Sequence, residues 1–298
     1  MTHAIEIERL HYRAGKAFAI QDLTLHVPSG SIYGFLGPNG SGKTTTIRLI
    51  LGLLRALSGR ITVLGDRMPE DHPRILERVG YVPEQPHLDP TLTVAELIRF
   101  QSAFYRRWDS ARAALLTKEF QLDEQRLFGR LSKGQKAKLM ILLALAQRGD
   151  LLVLDEPTDG LDPVVRRDIL AALITYVSES SATIFISSHL VHELERVCDW
   201  VAVMDEGRLV TELPLEKMKN GTKRLVIADA PAVINDAPFR ILARESSNGS
   251  GETWVVSNWE PTMTSFFERI GASVRDVVDL DLEDGFVELL RSFRTGVR

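Results

Sequence analysis

The sequence predicts an α/β fold: a parallel sheet covered by helices, with an antiparallel β subdomain, a helical subdomain and a small α+β appendage at the carboxyl end. Three observations lead there. A glycine-rich loop, Gly37 to Thr44, stands between an apolar run, Ser31 to Leu36, and a segment of helical spacing, Thr44 to Leu54. Two further apolar runs, Leu151 to Leu154 and Ala182 to Ile186, read as strands buried on both faces, and between them Asp162-Pro163 opens a helix in the favoured cap and first-turn positions. Strands that alternate with helices make a parallel sheet with both faces covered, and 298 residues suffice for one large domain and a small one.

In chain order, Ile5 to Tyr12 and Phe18 to Val27 alternate apolar and polar residues, as strands of a half-exposed antiparallel sheet do. Val27-Pro28-Ser29-Gly30 is a turn, and Val79 to Val82 a further short strand. Thr93-Val-Ala-Glu96 is a capping box that opens a helix through Tyr105, and Asp109 caps a second through Phe120. Trp200 to Met204, the turn Asp205-Glu206-Gly207 and Arg208 to Thr211 form a closing hairpin. In the appendage, strands Arg224 to Ala228 and Thr253 to Ser257 are joined across the polar run Ser246 to Gly251, with a helix near Phe266 and a last one from Leu282 to Phe293.

A net charge of −4 gives no bulk electrostatic reason to bind nucleic acid, whose phosphates reward clustered Lys and Arg. Met1 to Leu10 lacks the basic start and apolar run of an export signal. The greasiest segments, Ile47 to Leu57 and Leu139 to Ala146, fall short of the roughly 20 apolar residues that span a bilayer, so a membrane role must come through a partner. The single cysteine, Cys198, cannot form an internal disulfide and reads as an inert packed thiol in a reducing compartment.

Gly37-Pro-Asn39-Gly40-Ser41-Gly42-Lys43-Thr44 fits the G-x-x-x-x-G-K-[ST] phosphate loop and lies between a strand and a helix, where such a loop must lie. Glycines let backbone N–H groups wrap phosphate oxygens, and the following helix points its positive end at them. Lys43 adds a point charge, and the Thr44 hydroxyl is placed to hold Mg²⁺. Leu151 to Leu154 ends in Asp155-Glu156 and so delivers two carboxylates at a strand's carboxyl end beside the loop. Asp155 would orient the Mg²⁺ shell, while Glu156 would take a proton from the attacking water. The loop alone leaves kinases, GTPases and many ATPases open.

Leu131-Ser132-Lys133-Gly134-Gln135 decides among them, because it resembles the Leu-Ser-Gly-Gly-Gln signature of the ABC ATPase family and precedes the carboxylate strand at a family-like distance. The resemblance continues through Gln85 as the Gln loop, Gly160-Leu161-Asp162 as the D-loop, His189 as the switch histidine and Tyr12 as the ring that stacks on adenine, and it covers about residues 5 to 211. It implies a P-loop NTPase of the ABC cassette type that binds ATP and Mg²⁺. Catalysis would fall to Glu156 and His189. Nucleotide contacts would come from Tyr12, Gly37, Asn39, Gly40, Ser41, Gly42, Lys43, Thr44, Thr45, Gln85, Ser132, Gly134, Gln135 and Asp162, and metal contacts from Thr44, Gln85 and Asp155. Lys133 departs from the family pattern, which has glycine there, and is expected to tune the signature by adding charge beside the γ-phosphate.

The resemblance also implies an assembly. A signature helix on the far side of the domain from its own phosphate loop can reach a γ-phosphate only on a second cassette, in a homodimer or a heterodimer. Tyr105-Arg-Arg-Trp108-Asp109, Gly160-Leu-Asp-Pro163-Val-Val165-Arg-Arg167 and the ending Asp281 to Leu290 are similar to the ABC-2 exporter group. A separate membrane permease would then dock between Gln85 and Phe120, where Phe104, Tyr105 and Trp108 would form an apolar groove, and the chain would sit on the inner face of the cell membrane. The expected domains are a nucleotide-binding domain over 1–211, with its helical subdomain at about 86–148, a linker over 212–222 and an accessory domain over 223–298. A non-transport ABC ATPase acting on nucleic acid or ribosomes is the alternative. Against it stand the single cassette and the spacing of only about ninety residues between phosphate loop and signature, too short for a long coiled coil.

Overall fold

A computed structural model describes residues 2–15, 18–246 and 251–296. They fall into two compact units, Met1–Leu190 with Ala202–Leu209, and Val191–Val201 with Val210–Arg298.

The first unit opens with β1 (His3–Ala14) and β2 (Phe18–Pro28), paired antiparallel from His3 opposite Pro28 to Ala14 opposite Phe18. The inward residues Ile5, Ile7, Leu10, Leu23 and Leu25 are wholly buried, which is what the period-two pattern requires of a sheet with one wet face. Strand β3 (Ile32–Leu36), buried throughout, feeds α1 (Lys43–Ile50). This helix is shorter than the expected Thr44 to Leu54, because Leu51 leaves helical geometry and Gly52 turns the chain at positive φ. Next come β4 (Ser58–Val63) and β5 (Asp66–Met68), which sequence periodicity alone did not reveal. They complete a four-stranded sheet in the order β2–β1–β4–β5, and α2 (His72–Leu76) then leads to β6 (Val79–Val82).

Helix α3 (Val94–Ser102) has the capping box of Thr93 and Glu96 but stops before Tyr105, and α4 (Ser110–Glu119) is capped by Asp109. Helix α5 (Lys133–Ala146) is buried on every side from Leu139 to Ala146, so its sequence carries no amphipathic stripe. Strand β7 (Leu151–Asp155), α6 (Pro163–Ser180) and β8 (Thr183–Ser188) follow, and β3, β8, β7 and β6 lie side by side and parallel. One Asp162 carboxylate oxygen accepts from the backbone N–H groups of both Val164 and Val165 at 3.0 Å. Asp162→Ala is therefore expected to cost about 1 kcal/mol and to lower the unfolding midpoint by roughly 2–4 °C. Thermal denaturation followed by circular dichroism checks this, and an unchanged midpoint would refute the cap.

The chain continues through α7 (Val191–Leu194), β9 (Trp200–Asp205) and β10 (Arg208–Pro214), and the six-stranded sheet runs β10–β9–β3–β8–β7–β6. Of residues 212–222, expected as a linker, all but Thr222 belong to the end of β10 and to helix α8 (Leu215–Gly221). In the second unit β11 (Lys223–Ala228), β12 (Arg240–Ser246), β13 (Gly251–Ser257) and β14 (Ser273–Asp279) form a sheet in the order β12–β13–β11–β14, with α9 (Thr264–Arg269) and α10 (Leu282–Thr295). The polar run thus follows β12, a strand the sequence reading passed over, and not β11. Its residues 247–250 lie outside the described residues. Trp254, Phe239, Trp259, Phe266 and Phe267 make this unit's aromatic core.

Candidate functional site

The loop after β3 closes on the first unit's own backbone. A Cβ on Gly37 would stand 2.3 Å from the Met204 carbonyl oxygen, and Gly42, at φ 115°, sits in a conformation that side chains rarely adopt. Lys43 is 5% exposed, and its Nζ donates to the carbonyls of Gly37 at 2.6 Å and Pro38 at 3.2 Å. The same ammonium lies 3.1 Å from Glu156 Oε1, an ion pair without hydrogen-bond geometry, so this buried oxygen accepts no hydrogen bond among the described residues. The Ser41 hydroxyl is likewise buried without a hydrogen-bond partner among them. Unsatisfied buried polar atoms are costly, so each of these two calls for a partner that the described residues do not supply.

Strand β7 delivers its acids to this loop. Asp155 Oδ1 accepts from Thr44 Oγ1 at 3.1 Å and from Ser187 Oγ, on neighbouring β8, at 2.8 Å. Burial pushes the Asp155 carboxyl above its ordinary range; Glu156 adds to the shift, while the Ser187 and Thr44 hydrogen bonds and Lys43 oppose it. Glu156 has φ 48°, a conformation that costs a non-glycine residue energy, and its N–H is held by Ser187 Oγ at 2.9 Å. His189 grips the other carboxylate oxygen, with Nδ1 at 3.0 Å and its backbone N–H at 3.3 Å from Oε2.

A cleft of about 630 Å³ is lined by Asn39, Gly40, Gly42, Lys43, Thr44 and Thr45 of the loop and by Glu156 and His189. Phe18, Glu84 and Asp159, which sequence reasoning did not single out, line it as well. Tyr12, expected to stack on the base, lies on β1 opposite Ile20 and does not line the cleft; the aromatic ring beside Gly42 is Phe18. Gln85 is exposed beyond β6, and its neighbour Glu84 takes the place at the cleft wall.

Ser132, Lys133, Gly134, Gln135, Gly160 and Asp162 gather elsewhere, around a hollow of about 490 Å³ that shares no lining residue with the first cleft. Ser132 caps α5, its Oγ accepting from Gln135 N–H at 3.2 Å and its N–H donating to Gln135 Oε1 at 3.0 Å. No helix among the described residues is long and apolar enough to cross a membrane.

A glycine-rich loop whose buried lysine faces a strand-borne Asp-Glu pair defines a P-loop nucleoside triphosphatase. Residues 20–159 match the family described as ABC transporter. Over 226 residues the chain is 35% identical to the bacitracin transport ATP-binding protein BcrA of Bacillus licheniformis, a match covering 75% of this chain and 74% of that protein. It is 29% identical over 286 residues to the ABC transporter ATP-binding protein YtrB of Bacillus subtilis strain 168, covering 95% and 97%. A solved ATP-binding subunit of an ABC transporter is similar with a TM-score of 0.66 and 29% identity, over 74% of this chain and 92% of that one. The chain belongs to the ABC transporter family, as an ATP-binding subunit that hydrolyses ATP.

Proposed function

We propose that this chain powers an ABC-2 type exporter by closing with a second cassette around two ATP molecules. Each chain would offer its phosphate loop to one nucleotide and Ser132, Gly134 and Gln135 to the other. The observation that carries this reading is the separation of the two hollows, with the phosphate-loop residues lining one and Ser132, Gly134 and Gln135 the other, so that each would supply half of a nucleotide site. Relatives named for bacitracin transport and Nod factor export, and a solved cassette described as dimeric, support it.

Within each site Lys43 and the amino end of α1 hold the phosphates, and Phe18 packs at the cleft wall with Tyr12 further along the same sheet. Glu156 Oε1, buried and accepting no hydrogen bond among the described residues, takes the proton of the attacking water, while His189 fixes the carboxylate's orientation. Thr44 and Asp155 are hard oxygen donors already joined by a hydrogen bond, which suits Mg²⁺; Gln85 would complete the set. Bound Mg²⁺ supplies charge neutralisation at the phosphates.

A permease segment would dock where Phe100 and Phe104, 57% and 67% exposed, stack edge to face at 5.0 Å beside a groove lined by Leu76, Tyr105 and Arg107. Trp108, expected in that groove, is half-buried and does not line it. Docking there would place the chain on the inner face of the membrane, with the domain division of the sequence reading, 1–211 and 223–298, separating motor from accessory part. The test is the specific ATPase activity of the purified chain across a range of protein concentration. A rise toward a plateau is expected as cassettes pair; a rate per chain that never varies, from a strict monomer, would refute the shared site.

A further inference from the structure

Asp159 reaches two side chains that serve different hollows. Its Oδ1 lies 3.8 Å from His189 Nε2, and its Oδ2 lies 3.5 Å from the ammonium of Lys133, the residue that departs from the family signature. The opposite edge of the His189 ring meets Glu156, and Glu156 meets Lys43. One line of polar contacts therefore runs from the signature loop to the phosphate-loop lysine, through Lys133, Asp159, His189, Glu156 and Lys43. Gly160 leaves room for it: at φ +61° it carries no Cβ, and one would stand 2.5 Å from Lys133 Nζ.

As a contribution to stability the Lys133–Asp159 pair counts for little, since its side chains are 64% and 43% exposed and water screens them. Its consequence lies at the histidine. The His189 ring is bracketed by two carboxylates, and where it rests depends on how strongly each attracts it. Lys133 offsets part of the Asp159 charge, so Asp159 steadies the ring without drawing it off Glu156. Without Lys133 the whole Asp159 charge acts on His189; without Asp159 the ring loses its outer anchor. We propose that Lys133 and Asp159 form a positioning pair for His189, which makes the signature lysine a determinant of hydrolysis in its own chain's site. This rests on the proposed roles of Glu156 and His189.

The test is steady-state ATP hydrolysis by the full-length chain carrying Lys133→Met, Asp159→Asn, both together, or Lys133→Arg. Each single change is expected to lower kcat about fivefold or more and to leave KM within twofold, because a misplaced catalytic group costs rate rather than binding. The double variant should be no slower than the slower single one, since partners in one contact do not add. Lys133→Arg should recover at least half the parental rate. Unfolding midpoints separate a folding defect from a catalytic one, and the ratio of double to single variants remains readable if all are equally destabilised. Single variants that turn over at the parental rate overturn the proposal. A double variant whose loss is the product of the two singles, or a Lys133→Met change that acts on KM, overturns it too, because Lys133 would then act without Asp159. If the parental chain hydrolyses ATP and Glu156→Gln stops it, such outcomes sink only this pair; if Glu156→Gln has no effect, the reading of the site falls first.

Discussion

Glu156→Gln is expected to lower kcat by roughly 10²- to 10⁴-fold, the span a positioned general base contributes, while ATP still binds. The substitution keeps the shape and the contact with His189 but removes the charge and the basic oxygen. That oxygen is the buried Oε1, which among the described residues accepts no hydrogen bond and pairs with the Lys43 ammonium. Such a chain should bind ATP and accumulate as a nucleotide-held pair of cassettes, visible by size-exclusion chromatography with light scattering. Parental turnover by Glu156→Gln would remove the general-base assignment, and a slow variant that stays monomeric with ATP would remove the shared site.

Lys43→Ala is expected to weaken ATP binding on the order of 10- to 100-fold, since a hydrogen bond to a charged group contributes about 1.5–3 kcal/mol. The structure adds a second consequence. Lys43 is the one cation described within ion-pair distance of Glu156 Oε1, so its removal leaves the buried carboxylate held at Oε2 by His189 alone among the described residues and should also lower the unfolding midpoint without nucleotide. Isothermal titration with a slowly hydrolysed ATP analogue, together with a melt of the unliganded protein, checks both. Parental affinity in the variant would show that the loop lysine does not reach the phosphates.

Much of the fold and site is legible in the chain because the relevant interactions are short. Gly37 to Thr44 makes its turn from consecutive residues; Thr93 with Glu96, and Ser132 with Gln135, close their caps across three positions. What escaped the reading lacks a local signal. Strand β14, with the segment Ser273 to Asp279, is almost wholly exposed and pairs with β11 from far along the chain, so no alternating pattern announces it. Tyr12 and Phe18 sit on paired strands, Tyr12 opposite Ile20 and Phe18 opposite Ala14, in a bulged register that the alternating pattern alone does not fix.

The order of motifs along the chain determined the chemistry: a loop that wraps phosphate, a strand that ends in two acids, a capped signature helix and a histidine after β8, all fixed by bonds and spacings within a few residues. Packing decided which of these groups meet. Lys133 finds Asp159 across 26 positions, and Thr44 finds Asp155 across 111. Such partners depend on how sheets and helices close upon one another, a property of the whole core that no short window of residues contains.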